Sequence, residues 1–161
     1  MQPTPAYIKM LKVLHLALMI GQVLLAIAMF SLVYFNITNT FELISISNEI
    51  LIAAVVLSAI AFLGGASIFN KKLAAIHDNN LPVPQKLEAY RAANLIRWAM
   101  MEFVVILCCV FFFLTGNYYI LLVIVIMILF FFTTRPGTEK TLADLKLSME
   151  DLDGSNADKV E

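Results

Sequence analysis

The stretch RWAMMEFVVILC, Arg97 to Cys108, carries one carboxylate, Glu102, near the start of a long apolar run. Only apolar residues, Cys and Thr follow it as far as Thr115. An acid in such a setting has three possible roles: it pairs with a partner to fix helix register, handles a proton or cation, or meets a lipid head group. Glu102 lies five residues past Arg97, about 7 Å along a helix, so it is shallow rather than central. Helical side chains lean toward their own N-terminus, which brings the carboxylate back toward the interface. A charge at a helix centre costs about 2.5–3.5 kcal/mol on insertion scales. Neutralising a Glu of ordinary pKa at pH 7 costs about 3.7 kcal/mol. The two are close, so partners decide its state.

The polar residues at comparable depth are few. His15 and Gln22 stand on the first apolar segment, and Arg135 follows the last one, beside Thr133 and Thr134. Asn94 and Arg97 precede Glu102 on its own segment, although Arg97 lies about 140° around the helix from it. Arg91, Asn94, Leu95, Trp98 and Glu102 share one stripe, which predicts a bundle-facing side. Glu102, His15, Gln22, Arg97, Asn94 and Arg135 are therefore the candidate intramembrane polar cluster. Two readings compete. One is a hydrogen-bonded cluster that fixes register, and the other is a proton- or cation-handling site using Glu102 with His15 and Gln22.

Other chemistry has little to stand on. His15 and His77 are the two histidines, and His77 sits in a polar loop, so no pair exists for haem ligation between helices. Cys108 and Cys109 are adjacent; on a helix they point about 100° apart and are poorly placed to bridge. No CxxC, zinc motif, phosphate-binding Gly-rich loop or nucleophile elbow occurs. The expectation is a non-enzymatic protein with no catalytic, metal or cofactor-binding residues and no nucleic-acid partner.

The elements that must position the polar residues are apolar helices. Of 161 residues, 61% are hydrophobic and 14% charged, where a soluble domain carries about 25% charged. Four runs fit membrane spans of about 17–25 residues: about 13–35, 50–69, 97–115 and 118–134. The first is too long for a signal-peptide core and no A-x-A site closes it. Gly116-Asn117 predicts a tight turn between the last two. All 11 basic residues fall before the first run, between the second and third, at the head of the third, or after the fourth. By the positive-inside rule those segments are cytoplasmic. The prediction is an all-α, membrane-embedded four-helix up-down-up-down bundle of the inner membrane, N and C termini cytoplasmic. Tyr34, Tyr118 and Tyr119 would form the outer aromatic belt and Trp98 the inner one.

Small residues predict how the helices meet. Ala17, Gly21 and Ala28 align on the first helix, and Ala54, Ser58, Ala61 and Gly65 on the second. Such stripes let backbones approach closely in lipid, so the first two helices are expected to pack through them. The four-helix domain spans residues 1–135, and residues 136–161 form an acidic tail with 7 acids and 3 bases. In that tail Thr141 and Asp144 resemble a capping box. Leu142, Leu145, Met149 and Leu152 recur at helical spacing, so a short amphipathic helix is expected, suited to docking on the basic 70–94 connection or on a partner.

Two resemblances follow from these motifs. IRWAMMEFVVILCCVFFFLTGN, with Ala99 and Glu102 in an A-x-x-E pattern, resembles the carboxylate helix of proteolipid c subunits of rotary ATPases. That likeness implies a proton-carrying acid. The chain departs from that family in lacking a dense glycine zipper on its first helix. It also replaces the family's short polar loop by a long basic one. The overall plan is similar to small, uncharacterised four-helix inner-membrane proteins of bacteria, through Tyr90, Arg91, Ala93, Arg97, Trp98, Ala99 and Glu102. No activity comes with that likeness. The expected function is an accessory or scaffold component of a membrane complex, in contact with the lipid bilayer and with either its own copies or a membrane-protein partner. The alternative is a small proton- or cation-handling transporter.

Overall fold

The computed structural model describes residues 6–35, 46–79 and 81–148. Its elements are helices α1 (Ala6–Tyr34), α2 (Ser47–Asp78), α3 (Val83–Thr115), α4 (Tyr118–Thr133) and α5 (Thr138–Leu145). No strand occurs among the described residues. Helices α1, α2 and α3 are each long and apolar enough to cross a membrane; α4 bends by 71° into α5. Large apolar side chains cover the outward faces. Leu24, Leu63, Phe103 and Leu129 are each more than 60% exposed, an arrangement that water penalises and hydrocarbon does not.

The turns follow their sequence signals. Pro82 and Pro84 open α3, where a missing N–H costs nothing. Gly116, at φ 64°, closes it and donates to the Phe112 carbonyl at 2.8 Å. Asn117 then caps α4 by accepting from the Tyr119 N–H at 2.9 Å. Its amide also donates to Ser47 Oγ at 2.8 Å, tying this turn to the start of α2.

Helix α3 is the central element. It carries the bulky core residues Trp98, Met101 and Phe112, all buried. Helix α2 lies against it in the opposite direction: Gly65 meets Arg97, and Ser58 Oγ is 3.9 Å from Cys108 Sγ. Helix α1 runs alongside α3 in the same direction, with the Tyr7 hydroxyl bonded to the Leu87 carbonyl and His15 edge-on to Trp98. Helix α4 closes on α1 through Phe131 and on α2 through Phe130, whose ring centroid is 4.6 Å from that of Phe62.

This packing corrects the expected pairing of small faces. Ala54, Ser58, Ala61 and Gly65 are buried, but against α3. Ala17, Gly21 and Ala28 are exposed, and a methyl group built on Gly21 meets nothing within 4 Å. The reason is volume. The large residues of α3 need a low-relief neighbour, and the small stripe of α2 supplies it. Helix α1 turns Ile8, Leu11, His15 and Gln22 inward instead.

The membrane-length requirement is exceeded by α2 and α3. Their 32 and 33 residues give rods of about 48 and 50 Å, against a hydrocarbon core of about 30 Å. Helix α5 docks on the extra length. His77 Nε2 donates to the Asp144 carbonyl at 2.7 Å, and the Tyr90 hydroxyl donates to Asp144 Oδ2 at 2.9 Å. The expected capping box does not form. The helix starts earlier, at Thr138 after Gly137, which leaves Thr141 inside it and buried, while Asp144 is held by Tyr90. Met149 and Leu152, and residues 36–45 of the first loop, lie outside the described residues.

Candidate functional site

The structure divides the predicted polar cluster among separate tasks. His15 is buried at the α1–α4 contact. Its Nε2 donates to the Phe131 carbonyl at 3.1 Å and lies 3.4 Å from Thr134 Oγ1. Its ring stacks on Phe131 with centroids 4.5 Å apart and meets the edge of Trp98 at 5.0 Å. One imidazole thus joins α1, α3 and α4. Trp98 is fully buried, so it is a core residue and not the interfacial anchor its position beside Arg97 predicts. The stripe that carries it faces α1, which covers the ring.

Asn94 is buried and donates to the carbonyl of Tyr90 one turn earlier. Arg97 turns toward α2, its guanidinium 5.4 Å from the centre of the Phe69 ring, a cation–π contact. Phe69 in turn meets Tyr90 edge-on at 5.8 Å. Arg135 is exposed at the end of α4. Gln22 is 2% exposed, and neither amide atom has a hydrogen-bond partner among the described residues.

Glu102 departs most from expectation. It is half-buried on the flank of α3, between exposed Ala99, Phe103 and Ile106. It forms no hydrogen bond or ion pair within the described residues. His15, Thr134 and Arg135 do not reach it as partners: the first two satisfy each other and the Phe131 carbonyl, and Arg135 points outward from α4. The stripe is bundle-facing through Asn94 and Trp98 and rolls outward at Glu102, because α1 covers only one edge of it.

A second polar group, not singled out in the sequence, forms where α5 meets the extended α2–α3 hairpin. Tyr90, Asp144 and His77 make it. Burial and the hydrogen bond to the Asp144 carboxylate push the Tyr90 phenol up to about 12, so it stays a donor throughout the physiological range. Burial also raises the Tyr7 phenol, which holds the start of α1 to Leu87. The signal for Tyr90 was present as a tyrosine one turn before Asn94. Its partner Asp144 is 54 residues away, beyond what helical spacing reads. No protein-family model matches the chain, and no curated protein or solved structure is significantly similar to it.

Proposed function

We propose that the chain is a non-enzymatic, multi-pass inner-membrane protein that serves as an accessory or scaffold component of a membrane complex. In this reading α1 to α4 form a four-helix up-down-up-down bundle with both termini in the cytoplasm, and residues 136–161 form its cytoplasmic tail. The observation that carries it is the α2–α3 hairpin. It outruns the hydrocarbon by about 20 Å and is braced at its base by α5 through Tyr90, His77 and Asp144. The result is a rigid cytoplasmic post bearing Lys71, Lys72, Lys86 and Arg91, fit to hold an acidic surface of a partner. The interhelical hydrogen bonds support the same reading, because His15, Tyr90 and Asn117 each join separate helices.

The test is assembly in native membranes. A photo-crosslinking residue at exposed Lys72 should trap a protein adduct, and the mildly solubilised protein should migrate above its monomer mass on a blue-native gel. Monomer alone, without adducts or co-purifying protein, would count against a scaffold. One observation favours the alternative, a small proton- or cation-handling transporter: Glu102 on the flank of α3, without a polar partner among the described residues. That reading requires Glu102→Gln to abolish a pH- or potential-driven flux in proteoliposomes while the fold persists.

A further inference from the structure

The seam between α1 and α4 is incompletely closed, and it changes character along its length. Near its inner end it opens into a cleft of about 190 Å³ bordered by Lys12, His15, Met19, Phe132 and Arg135. Among the described residues, no acid lines this cleft. Further along the same seam lies a wholly apolar groove of about 430 Å³, bordered by Val23, Ala26, Phe30, Leu121, Val125 and Leu129. The two are consecutive on both helices. Met19 and Val23 are one turn apart on α1, and Phe132 and Leu129 one turn apart on α4. Measured along α4 from Arg135, the groove runs from Leu129, about 9 Å away, to Leu121, about 21 Å away, so it begins in the inner half of the roughly 30 Å hydrocarbon core and passes its midplane. The seam therefore offers two cations at the membrane surface and an apolar channel beneath them.

The groove between α2 and α4 provides an internal contrast. It is bordered by Val55, Ser58, Phe62, Val123 and Phe130, is of similar size at about 350 Å³, and has no charged residue along it among the described residues. Lipid filling that groove would be chosen for its chains alone.

We infer that the α1–α4 seam is a binding site for one anionic phospholipid of the inner leaflet, its phosphate between Lys12 and Arg135 and one acyl chain along the apolar groove. The site rests on the membrane orientation given under Proposed function, which places Lys12 and Arg135 at the same interface. Arg135 is exposed and Lys12 half-exposed, so both side chains are free to close on a phosphate. Buried His15 borders the cleft and is held by its hydrogen bond to the Phe131 carbonyl.

Trp98 is the single tryptophan and lies 5.0 Å from His15, ring centre to ring centre, which makes it a reporter for this cleft. The full-length protein is reconstituted in phosphatidylcholine vesicles containing a minor fraction of brominated phosphatidylglycerol, or of brominated phosphatidylcholine. The anionic lipid should quench Trp98 with a relative association constant about fivefold or more above the neutral one, because each basic residue at the surface contributes about that factor. Lys12→Gln with Arg135→Gln should bring the ratio near one, whereas Arg135→Lys should preserve it. Ala26→Phe, which fills the groove, should lower it. Equal quenching by the two lipids, a preference that survives loss of both cations, or a preference indifferent to Ala26→Phe would overturn the site. Displacement of the lipid by excess inorganic phosphate would identify a free-phosphate site and overturn it as well. Failure of the folded chain to enter vesicles at all would instead reject the membrane orientation on which the site depends, a result separate from any lipid preference.

Discussion

Substitution of two glycines by leucine separates the helix arrangement described above from the one the small-residue stripes imply. At Gly65 an added Cβ would sit 3.5 Å from Arg97 Cγ, 3.6 Å from its carbonyl oxygen and 3.8 Å from its Cα. Alanine fits at those distances, and Gly→Ala in a helix interior is worth about 0.8–1.0 kcal/mol. Leucine extends at least one further carbon–carbon bond, about 1.5 Å, into the α3 backbone, which cannot rotate away as a side chain can. Helix α3 must then shift, and overpacking of this kind costs about 1–3 kcal/mol. At Gly21 no atom lies within 4 Å of the new Cβ, so leucine gains helix propensity without a clash. The propensity gain is common to both variants, so they should differ by the overpacking cost of about 1–3 kcal/mol, with Gly65→Leu the less stable. Unfolding in mixed micelles followed by far-UV circular dichroism measures this. Equal destabilisation by both would refute the packing of α2, rather than α1, on α3 through its small face.

Three further outcomes are expected. Gln22→Met keeps the shape and removes an amide that has no partner among the described residues, and should stabilise the protein by about 1 kcal/mol in the same unfolding assay. His15→Ala loses a hydrogen bond to the Phe131 carbonyl and two ring contacts, and should cost about 1–3 kcal/mol; His15→Phe should restore the ring contacts but not the hydrogen bond. The Tyr90 phenol is raised to about 12 from an ordinary 10, so its contribution is complete below pH 10 and is lost as pH rises through 12. Protease sensitivity of the 136–148 segment should accordingly stay flat to about pH 10 and climb above it, and Tyr90→Phe should make that segment sensitive at neutral pH.

Much of this fold is written in single-residue signals. Pro82, Pro84, Gly116 and Asn117 mark helix ends, and their backbone consequences are local, which makes them readable. The side of α2 that faces inward was also readable, because small residues recur at one spacing. The partner of that side was not, since complementarity of volume with Arg97 and Met100 on α3 is a property of two segments at once. Helix α1 is apolar nearly all round, so no periodicity tells which face is covered; only the burial of His15 and Gln22 does. Trp98 next to Arg97 reads as a boundary residue because that pair often is one, and here α1 covers it. Glu102 was found from its isolation among apolar residues, but its lack of a partner depends on how far α1 wraps around α3. Asp144 read as a cap because Thr141 stood three residues before it; Tyr90, distant in sequence and close in space, claimed it instead.

A single cysteine at Asn79 or at Tyr118, each in a background with Cys108 and Cys109 replaced by alanine, tests whether these helices cross a bilayer with their basic ends on one side. Both positions are exposed at opposite ends of the long helices. In sealed right-side-out membrane vesicles, an impermeant maleimide should label the Tyr118→Cys protein at once and the Asn79→Cys protein only after permeabilisation. Labelling of both from the same side of intact vesicles would rule out that orientation.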